Sequence, residues 1–290
     1  MVDEGNEIDT SRSTPAAPET VTTHVEPVMG TVATITVVAG DLDRVGLQAA
    51  LARGCEELHR ADSIFSTWNV DSPMSRVRRG ELDLADAPEV IREVLELCDQ
   101  ARTASAGWFD PWAMPGGVDP TGLVKGWAVE RARDVLVRAG VAGVMVNAGG
   151  DLAVSGTAPG HRGGHMPGCR QPHSRWRIGI THPWKSDSLA RVIEVDGSGP
   201  GSAVATSGTY ERGPHLLDPW SGRPRCSLAS ATVVGPSLAM ADAFATALAV
   251  GGDRVLVAPW RSLGGYEAYL IRPDGSELAT PGVVTWSPEE

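Results

Sequence analysis

The sequence predicts an α+β fold, a single compact domain in which mixed sheets pack against helices. Segments of helical and strand periodicity are interspersed without the regular alternation that a parallel βαβ sheet requires. A chain of 290 residues is long enough to bury a large core. No repeat of solenoid period interrupts it, so one domain over residues 27–290 is the simplest arrangement.

The spacing of apolar residues predicts the individual elements. Helices are predicted at 41–61, 87–104, 121–139 and 237–250. Strands are predicted at 28–38, 142–147, 151–156, 176–181, 190–195, 202–206, 230–235 and 266–271. Gly140 suits the C-cap of the third helix, and Ser237 suits the N-cap of the last. Gly149 and Gly150 suit a hairpin turn between two strands.

Composition limits the classes of partner and the location. A net charge of −11 argues against a nucleic-acid partner, which needs a basic face. Residues 1–26 are poor in apolar residues and rich in Ser, Thr, Pro and Glu, so we expect a disordered tail there. That stretch lacks the basic and apolar regions of a signal peptide, and Cys55 is the first cysteine, so no membrane anchor is expected. Cytoplasmic location is the default expectation.

The four cysteines show no disulfide framework. Cys55, Cys98, Cys169 and Cys226 are widely scattered, as is typical of free thiols in a reducing compartment. The histidines and cysteine at 161, 165, 169 and 173 recur at every fourth residue, a spacing that could hold zinc. Their surroundings are rich in Gly and Pro, however, which favours a surface loop.

The helix at 237–250 carries one carboxylate in an apolar sequence. Asp242 and Thr246 are four residues apart and therefore share a helix face. A charge in such a helix is costly unless it is paired or binds a metal ion. Two interpretations remain open at this point, a metal ligand and an Asp satisfied by neighbouring backbone or Arg groups.

The segment 118–128 is a second candidate site. Asp119 precedes a helix that begins near Thr121, and small residues at a helix N-terminus leave N–H groups available to an anion. Lys125 lies one turn further on and could contact phosphate. The alternatives are a plain helix cap and a solvated helix face. GxGxxG, GxxxxGK[ST] and GxSxG motifs are absent from the sequence.

From Val28 to about Thr285 the sequence resembles the ApbE family of FAD:protein FMN transferases. The resemblance is carried by blocks in family order: VMGTVATITV at 28–37, FSTWNVDSPMSRV at 65–77, SAGWFDPWAMPGGVDPTGLVKGWAVERA at 105–132, VNAGGDLAVSG at 146–156, WRIGITHPW at 176–184, AVATSGTYERGPHLLDPWSGRP at 203–224, SATVVG at 230–235 and SLAMADAFATALAV at 237–250. It implies an ApbE-like (T-fold-like) architecture.

The resemblance also implies a set of site residues. Gly122, through its carbonyl, would join Asp242 and Thr246 in an oxygen-only ligand set that suits Mg²⁺. The flavin nucleotide would be contacted by Met29, Trp68, Trp108, Phe109, Asp110, Asp119, Lys125 and His215. Trp68 replaces the usual Tyr and loses its hydroxyl. Without the family, Met29 reads equally well as a core strand residue, and the adjacent aromatics as core.

His215 is the residue that the resemblance favours as general base. A neutral imidazole can take a proton from a hydroxyl near neutral pH. Asp218 would either orient it or serve as a turn residue, and most histidines are surface or satisfied core residues. Trp112 and Trp127 are also expected in or beside the pocket, together with Trp68 and Trp108.

The implied activity is Mg²⁺-dependent transfer of the FMN part of FAD to a Thr or Ser hydroxyl of an acceptor protein, with release of AMP. The partners are then FAD and an acceptor carrying a [ST]-G-A-[ST]-like site, which this chain itself lacks. Two alternatives remain, hydrolysis of FAD to FMN and AMP, and a non-catalytic flavin carrier. Intact Asp242, Thr246 and His215 argue against the carrier.

Overall fold

The structure is a computed structural model and describes residues 20–160, 175–198, 202–208 and 216–287. The helices are α1 Arg44–Phe65, α2 Pro73–Arg78, α3 Glu89–Ala104, α4 Thr121–Arg138 and α5 Leu238–Gly251. Short 3-10 helices lie at Pro111–Ala113, Gly252–Val257 and Pro259–Leu263. The strands are β1 Val21–Val28, β2 Thr31–Val38, β3 Gly143–Ala148, β4 Asp151–Gly156, β5 Arg175–His182, β6 Lys185–Asp196, β7 Ser202–Gly208, β8 Ser230–Gly235, β9 Glu267–Ile271, β10 Glu277–Ala279 and β11 Thr285–Trp286.

The described strands form two antiparallel sheets. The larger sheet has eight strands in the order β1-β2-β3-β4-β7-β8-β9-β10. The smaller sheet has three, in the order β11-β6-β5. Antiparallel sheets with helices gathered on one face are the arrangement expected of an α+β fold, which confirms the predicted fold class.

The larger sheet separates two hydrophobic cores because successive side chains of a strand point to opposite faces. Ala153, with Ala203 and Ala205 of β7, faces the helices and joins the main core. Leu152 and Val154 of β4 face the smaller sheet and join a second core. The result is three layers, with the helices, the larger sheet and the smaller sheet in that order.

Helix α5 lies at the centre of the helical layer. It packs against α4 on one side and against β7 and β8 on the other. Thirteen of its fourteen residues are buried, and Thr246 is the exception. The approach of α4 is close at Gly126, where an added Cβ would lie 2.6 Å from the carbonyl oxygen of Leu238. A small residue at 126 therefore sets the spacing of the two helices that carry the predicted site.

The predicted disordered tail is wrong for residues 21–26. These residues belong to β1, which pairs along its whole length with β2, from Val21 opposite Val38 to Val28 opposite Thr31. Strand pairing satisfies backbone N–H and C=O groups whatever the side chains, so a polar composition did not prevent it. Residues 1–19 lie outside the described residues.

Most other elements match the predictions within a few residues, and both caps are confirmed in part. Ser237 accepts a hydrogen bond from the backbone N–H of Met240, as an N-cap does. Gly140 follows α4 with a φ of +93°. Helix α2 was not predicted, because six residues are too short to show a helical period.

Candidate active site

A cavity of about 940 Å³ opens where the N-terminal part of α4 meets α5, the end of α1 and the end of β7. Its lining includes ten of the eleven predicted site residues: Met29, Trp68, Trp108, Phe109, Asp110, Asp119, Gly122, Lys125, Asp242 and Thr246. His215, the eleventh, lies outside the described residues, whereas its neighbours Leu216 and Leu217 line the cavity. The volume is near the upper end of the ~300–1,000 Å³ typical of ligand pockets, so a large nucleotide fits.

Asp242, Thr246 and Gly122 meet at one wall of this cavity. Asp242 is only 4% exposed, because the rest of α5 is buried between α4 and the sheet. The Thr246 hydroxyl lies 3.3 Å from that of Ser207 at the end of β7. A Cβ at Gly122 would lie 3.2 Å from the Phe109 ring and 4.0 Å from Thr246 Oγ1. A buried carboxylate beside hydroxyl groups is a donor set that fits a hard cation.

Lys125 points its ammonium group at a buried carboxylate. Its Nζ atom lies 2.5 Å from Oδ2 of Asp151, whose side chain is fully buried at the start of β4. The other oxygen of Asp151 accepts a hydrogen bond of 3.0 Å from the backbone N–H of Thr206. The contact fixes the Lys125 side chain, which remains 21% exposed and lines the cavity. Asp151 directly follows Gly149 and Gly150, for which the sequence predicted only a hairpin turn.

Asp119 forms two local hydrogen bonds and one ion pair. Its Oδ1 accepts from the backbone N–H and the hydroxyl of Thr121, at 3.0 and 2.7 Å. Its Oδ2 lies 3.0 Å from Arg78 Nη1. Arg78 also donates to the carbonyl of Pro115 and so ties α2 to the loop before α4. The sequence block quoted above ends at residue 77, one residue before this arginine.

Met29 lies in a hairpin turn and not in a strand. Met29 and Gly30 join β1 to β2 with φ values of +54° and +66°. Two successive positive φ values are typical of the tight turn that matches strand twist. The backbone N–H of Met29 donates to Oδ2 of Asp62 at 3.2 Å, and both residues line the cavity. The interpretation of Met29 as a core strand residue is therefore wrong.

The aromatic residues divide into two groups. Trp108 and Phe109 line the cavity, and Trp220 packs edge-on against Trp108 with ring centroids 4.5 Å apart. Trp68 lies at the cavity rim and is 95% exposed. Trp112 and Trp127, expected in or beside the pocket, are not themselves among the described lining residues. Trp127 packs edge-on against Phe65, which does line the cavity, so it lies beside the pocket and not in it.

Asp110 and Asp218 both stabilise local turns. Asp110 Oδ1 accepts from the backbone N–H of Trp112 at the start of a 3-10 helix. Asp218 accepts from the N–H groups of Trp220 and Ser221. The hydrogen bond from Trp220 is the main cause of a lowered pKa of Asp218, followed by Ser221 and then Arg225. The described contacts of Asp218 are those of a turn residue.

Four residues at or beside the cavity were not singled out from the sequence: Asp62, Arg78, Asp151 and Ser207. Ser207 belongs to the ATSG block that carried part of the resemblance, so its position was available there. The pairing of Arg78 with Asp119 and of Asp151 with Lys125 joins residues 41 and 26 positions apart. Only the tertiary structure brings such groups together.

None of the helices in the described part of the chain is long and apolar enough to cross a membrane.

Comparison with known proteins finds a matching family model and relatives that share one name. Residues 29–116 and 113–270 match the sequence model of the ApbE family. A protein of Rhodobacter capsulatus named FAD:protein FMN transferase is 31% identical over 172 residues, which cover 57% of this chain and 30% of that protein. One of the same name from Vibrio cholerae is 35% identical over 147 residues, covering 47% and 39%. The matched part is thus less than half of either relative.

Solved structures share the fold over nearly the whole chain. The ApbE protein of Thermotoga maritima superposes with a TM-score of 0.74 at 20% identity, covering 90% of this chain and 97% of that one. The flavin transferase ApbE of Vibrio cholerae gives 0.72 at 23% identity, covering 91% and 98%. These two likenesses establish the architecture. The match to the sequence model over most of the chain shows that the chain belongs to the ApbE family.

Proposed function

We propose that this protein transfers the FMN part of FAD to a Thr or Ser hydroxyl of an acceptor protein and releases AMP, in a reaction that requires Mg²⁺. The observation that carries the proposal is the convergence of ten predicted residues on one cavity of nucleotide size. Relatives named FAD:protein FMN transferase support the choice of reaction. The cytoplasmic location stays a prediction from the sequence.

The charges of the cavity support the requirement for a cation. Its described lining contains four carboxylates, Asp62, Asp110, Asp119 and Asp242, and one ammonium group, Lys125. Lys125 is already paired with Asp151. A pyrophosphate brought into this negative site would be repelled unless further positive charge accompanied it.

Asp242 and Thr246, with the backbone carbonyl of Gly122, are the residues that would hold Mg²⁺. Magnesium prefers few protein oxygens together with substrate phosphates, which matches one buried carboxylate beside a hydroxyl. When bound, the ion would neutralise pyrophosphate oxygens and the charge that develops on the AMP leaving group. Asp242 is held in place because its helix is packed on all sides.

The remaining residues would bind and orient FAD. Trp108 and Phe109 offer aromatic surface to the flavin, and Trp68 offers an exposed ring at the rim. Lys125 lines the same cavity and would bind phosphate oxygens. The N–H groups at the start of α4 contribute less than the sequence suggests, because that of Thr121 donates to Asp119 and those of Leu123 and Val124 donate to the Pro120 carbonyl. Asp119 is fixed by Arg78 and Thr121, so it is oriented before ligand arrives.

The transfer itself is a displacement at phosphorus. The acceptor hydroxyl oxygen forms a bond to the FMN phosphorus, the bond from that phosphorus to the bridging oxygen breaks, and AMP leaves with that oxygen. The hydroxyl proton passes to the base, for which His215 is our candidate. With water as the nucleophile, the same step would yield FMN and AMP.

The test uses purified protein, FAD, Mg²⁺ and an acceptor carrying a [ST]-G-A-[ST] sequence. We expect a mass increase of the acceptor by one FMN residue and stoichiometric AMP, both dependent on Mg²⁺. Release of AMP without acceptor modification would identify FAD hydrolysis instead. Absence of both, with FAD bound, would identify a flavin carrier and refute the proposal.

Three variants test the assigned roles. Asp242→Asn should abolish Mg²⁺-dependent transfer while the fold survives, since an amide oxygen is a weaker ligand for a hard dication. Thr246→Val should act in the same direction but less severely. His215→Ala should keep FAD affinity and lose transfer about a hundredfold or more. An Asp242→Asn variant that is much less stable but keeps the Mg²⁺ dependence of transfer under conditions where it is folded would make Asp242 structural.

A further inference from the structure

Four metal-ligating side chains cluster outside the cavity, where β1 packs against α1. The Nε2 atom of His24 lies 2.9 Å from one carboxylate oxygen of Glu26, and the Nε2 atom of His59 lies 2.8 Å from the other. The ligand atoms of His24, Glu26 and Cys55 all lie within 4.8 Å of one another. Two ligands come from a strand and two from a helix.

The local structure explains why these side chains converge. His24 and Glu26 are two apart on β1, so they share a face of the strand. That face is the half-buried one, which alternates with the exposed residues Thr23 and Val25. Cys55 and His59 are one turn apart on α1 and also share a face. The two faces meet at Glu26.

We infer that His24, Glu26, Cys55 and His59 form a binding site for a divalent transition metal of the zinc class. Two imidazoles, a thiolate and a carboxylate are all ligands that Zn²⁺ accepts, and four of them complete a structural site. In tetrahedral zinc sites neighbouring ligand atoms are about 3.5 Å apart, as follows from metal–ligand bonds of about 2.0–2.3 Å. The ligand atoms of His24, Glu26 and Cys55 lie within 4.8 Å of one another and reach that spacing by side-chain rotation. His59 lies 2.8 Å from Glu26 and is half exposed, so its ring is free to rotate toward the same point and supply the fourth ligand.

A reactive or redox-sensing thiol is the competing interpretation of Cys55. Its side chain is only 9% exposed. A thiol that solvent barely reaches is poorly placed to attack an external reagent. The three partners around it are instead groups that bind metal ions.

A metal ion at this position would join the edge strand to the helical layer. Among the described strands, β1 is the outermost of the larger sheet, and β2 is the one strand paired with it. Both ligand-bearing segments continue into the cavity wall, since Glu26 is three residues before Met29 and His59 is three residues before Asp62. The role we assign to the metal is structural, holding β1 against α1 beside the flavin cavity.

The test is titration of the chelator-treated full-length protein with Co²⁺ and Zn²⁺, in excess Mg²⁺ to keep the oxygen-only site occupied. Cobalt bound tetrahedrally through a thiolate shows a sulfur-to-cobalt charge-transfer band and intense visible absorption. We expect one equivalent of Co²⁺ with both features, displaced by Zn²⁺. At free Zn²⁺ about a hundred times the dissociation constant, the folded-to-unfolded ratio should rise about a hundredfold, with a matching rise in melting temperature.

Variants locate the site. Cys55→Ser should lose the charge-transfer band. His24→Gln and His59→Gln should each weaken Co²⁺ binding more than tenfold. Both histidines are partly exposed, so without metal these variants should keep the melting temperature of the native protein. Cys226→Ser is the matched thiol control and should bind normally. Replacement of His161, His165, Cys169 and His173 should also leave binding unchanged. A band that survives Cys55→Ser, or that disappears when residues 161–173 are changed, would overturn the inference, as would failure of the native protein to bind Co²⁺.

Discussion

Replacing Lys125 by Met should destabilise the protein strongly, because it leaves the buried carboxylate of Asp151 without its ammonium partner. Asp151 is fully buried, and its Oδ2 atom lies 2.5 Å from Lys125 Nζ. Removing one member of a buried ion pair costs about 3–5 kcal/mol. Lys125 is 21% exposed, so water reaches part of the site, and we expect the lower end, about 3 kcal/mol. At about 2–4 °C per kcal/mol, the melting temperature should fall by about 6–12 °C.

The matched variants separate the buried charge from the loss of packing. Asp151→Asn keeps an oxygen that can accept from the Thr206 N–H and leaves a lysine that can reach water, so it should cost only about 1–2 kcal/mol. The double variant, Lys125→Met with Asp151→Asn, removes both charges and should recover most of the stability lost in Lys125→Met alone. Urea unfolding of the four proteins measures the coupling. A double variant no more stable than Lys125→Met would refute the buried-charge explanation.

The same variants report on the ligand. If Lys125 contacts phosphate, Lys125→Met should weaken FAD binding in the single and the double variant alike. Asp151→Asn should strengthen FAD binding at low Mg²⁺, because it frees the ammonium group from a competing carboxylate. Isothermal titration with FAD at several Mg²⁺ concentrations measures both effects. Equal FAD affinity in all four proteins would confine Lys125 to a structural role.

Three further predictions follow from the packing and the charges. Gly126→Ala should lower the free energy of unfolding by about 1–3 kcal/mol, since its Cβ would lie 2.6 Å from the Leu238 carbonyl oxygen. Gly54→Ala is the control, because its Cβ would lie 3.4 Å from the nearest atom, and it should be neutral or stabilising. Urea unfolding measures both. Burial is the main cause of a raised pKa of Glu130, so this group binds its proton more tightly in the folded than in the unfolded protein. Its contribution to stability is therefore lost as pH rises above 4.5, and the stability of the native protein relative to Glu130→Gln should fall over that range; a stability difference that stays constant or rises with pH would contradict this. FAD should quench tryptophan fluorescence mainly through Trp108, so Trp108→Phe should remove most of the quenching and Trp127→Phe little; the opposite result would place the flavin elsewhere.

The sequence predicted well the parts of the site that depend on a single segment. Asp242 and Thr246 share a face of α5 because both lie in one helix, and the apolar residues around them indicate burial. Ser237 was identifiable as the cap for the same local reason. The start of β1 at Val21 was missed because a strand with polar alternate residues is defined by its partner strand.

The charge balance of the cavity could not be obtained from single segments. Lys125 and Asp119 read from sequence as one cation and one anion available to a ligand, yet the fold pairs each with a partner from elsewhere in the chain, Asp151 and Arg78. The two charges within each pair offset each other. The same cavity also contains the buried carboxylate of Asp242. If the cavity binds FAD as we propose, this charge balance predicts that a cation accompanies the pyrophosphate. FAD affinity should then rise with Mg²⁺ in the native protein and lose that dependence in Asp242→Asn. FAD binding that is equally tight with and without Mg²⁺ would show that Lys125 suffices without the ion.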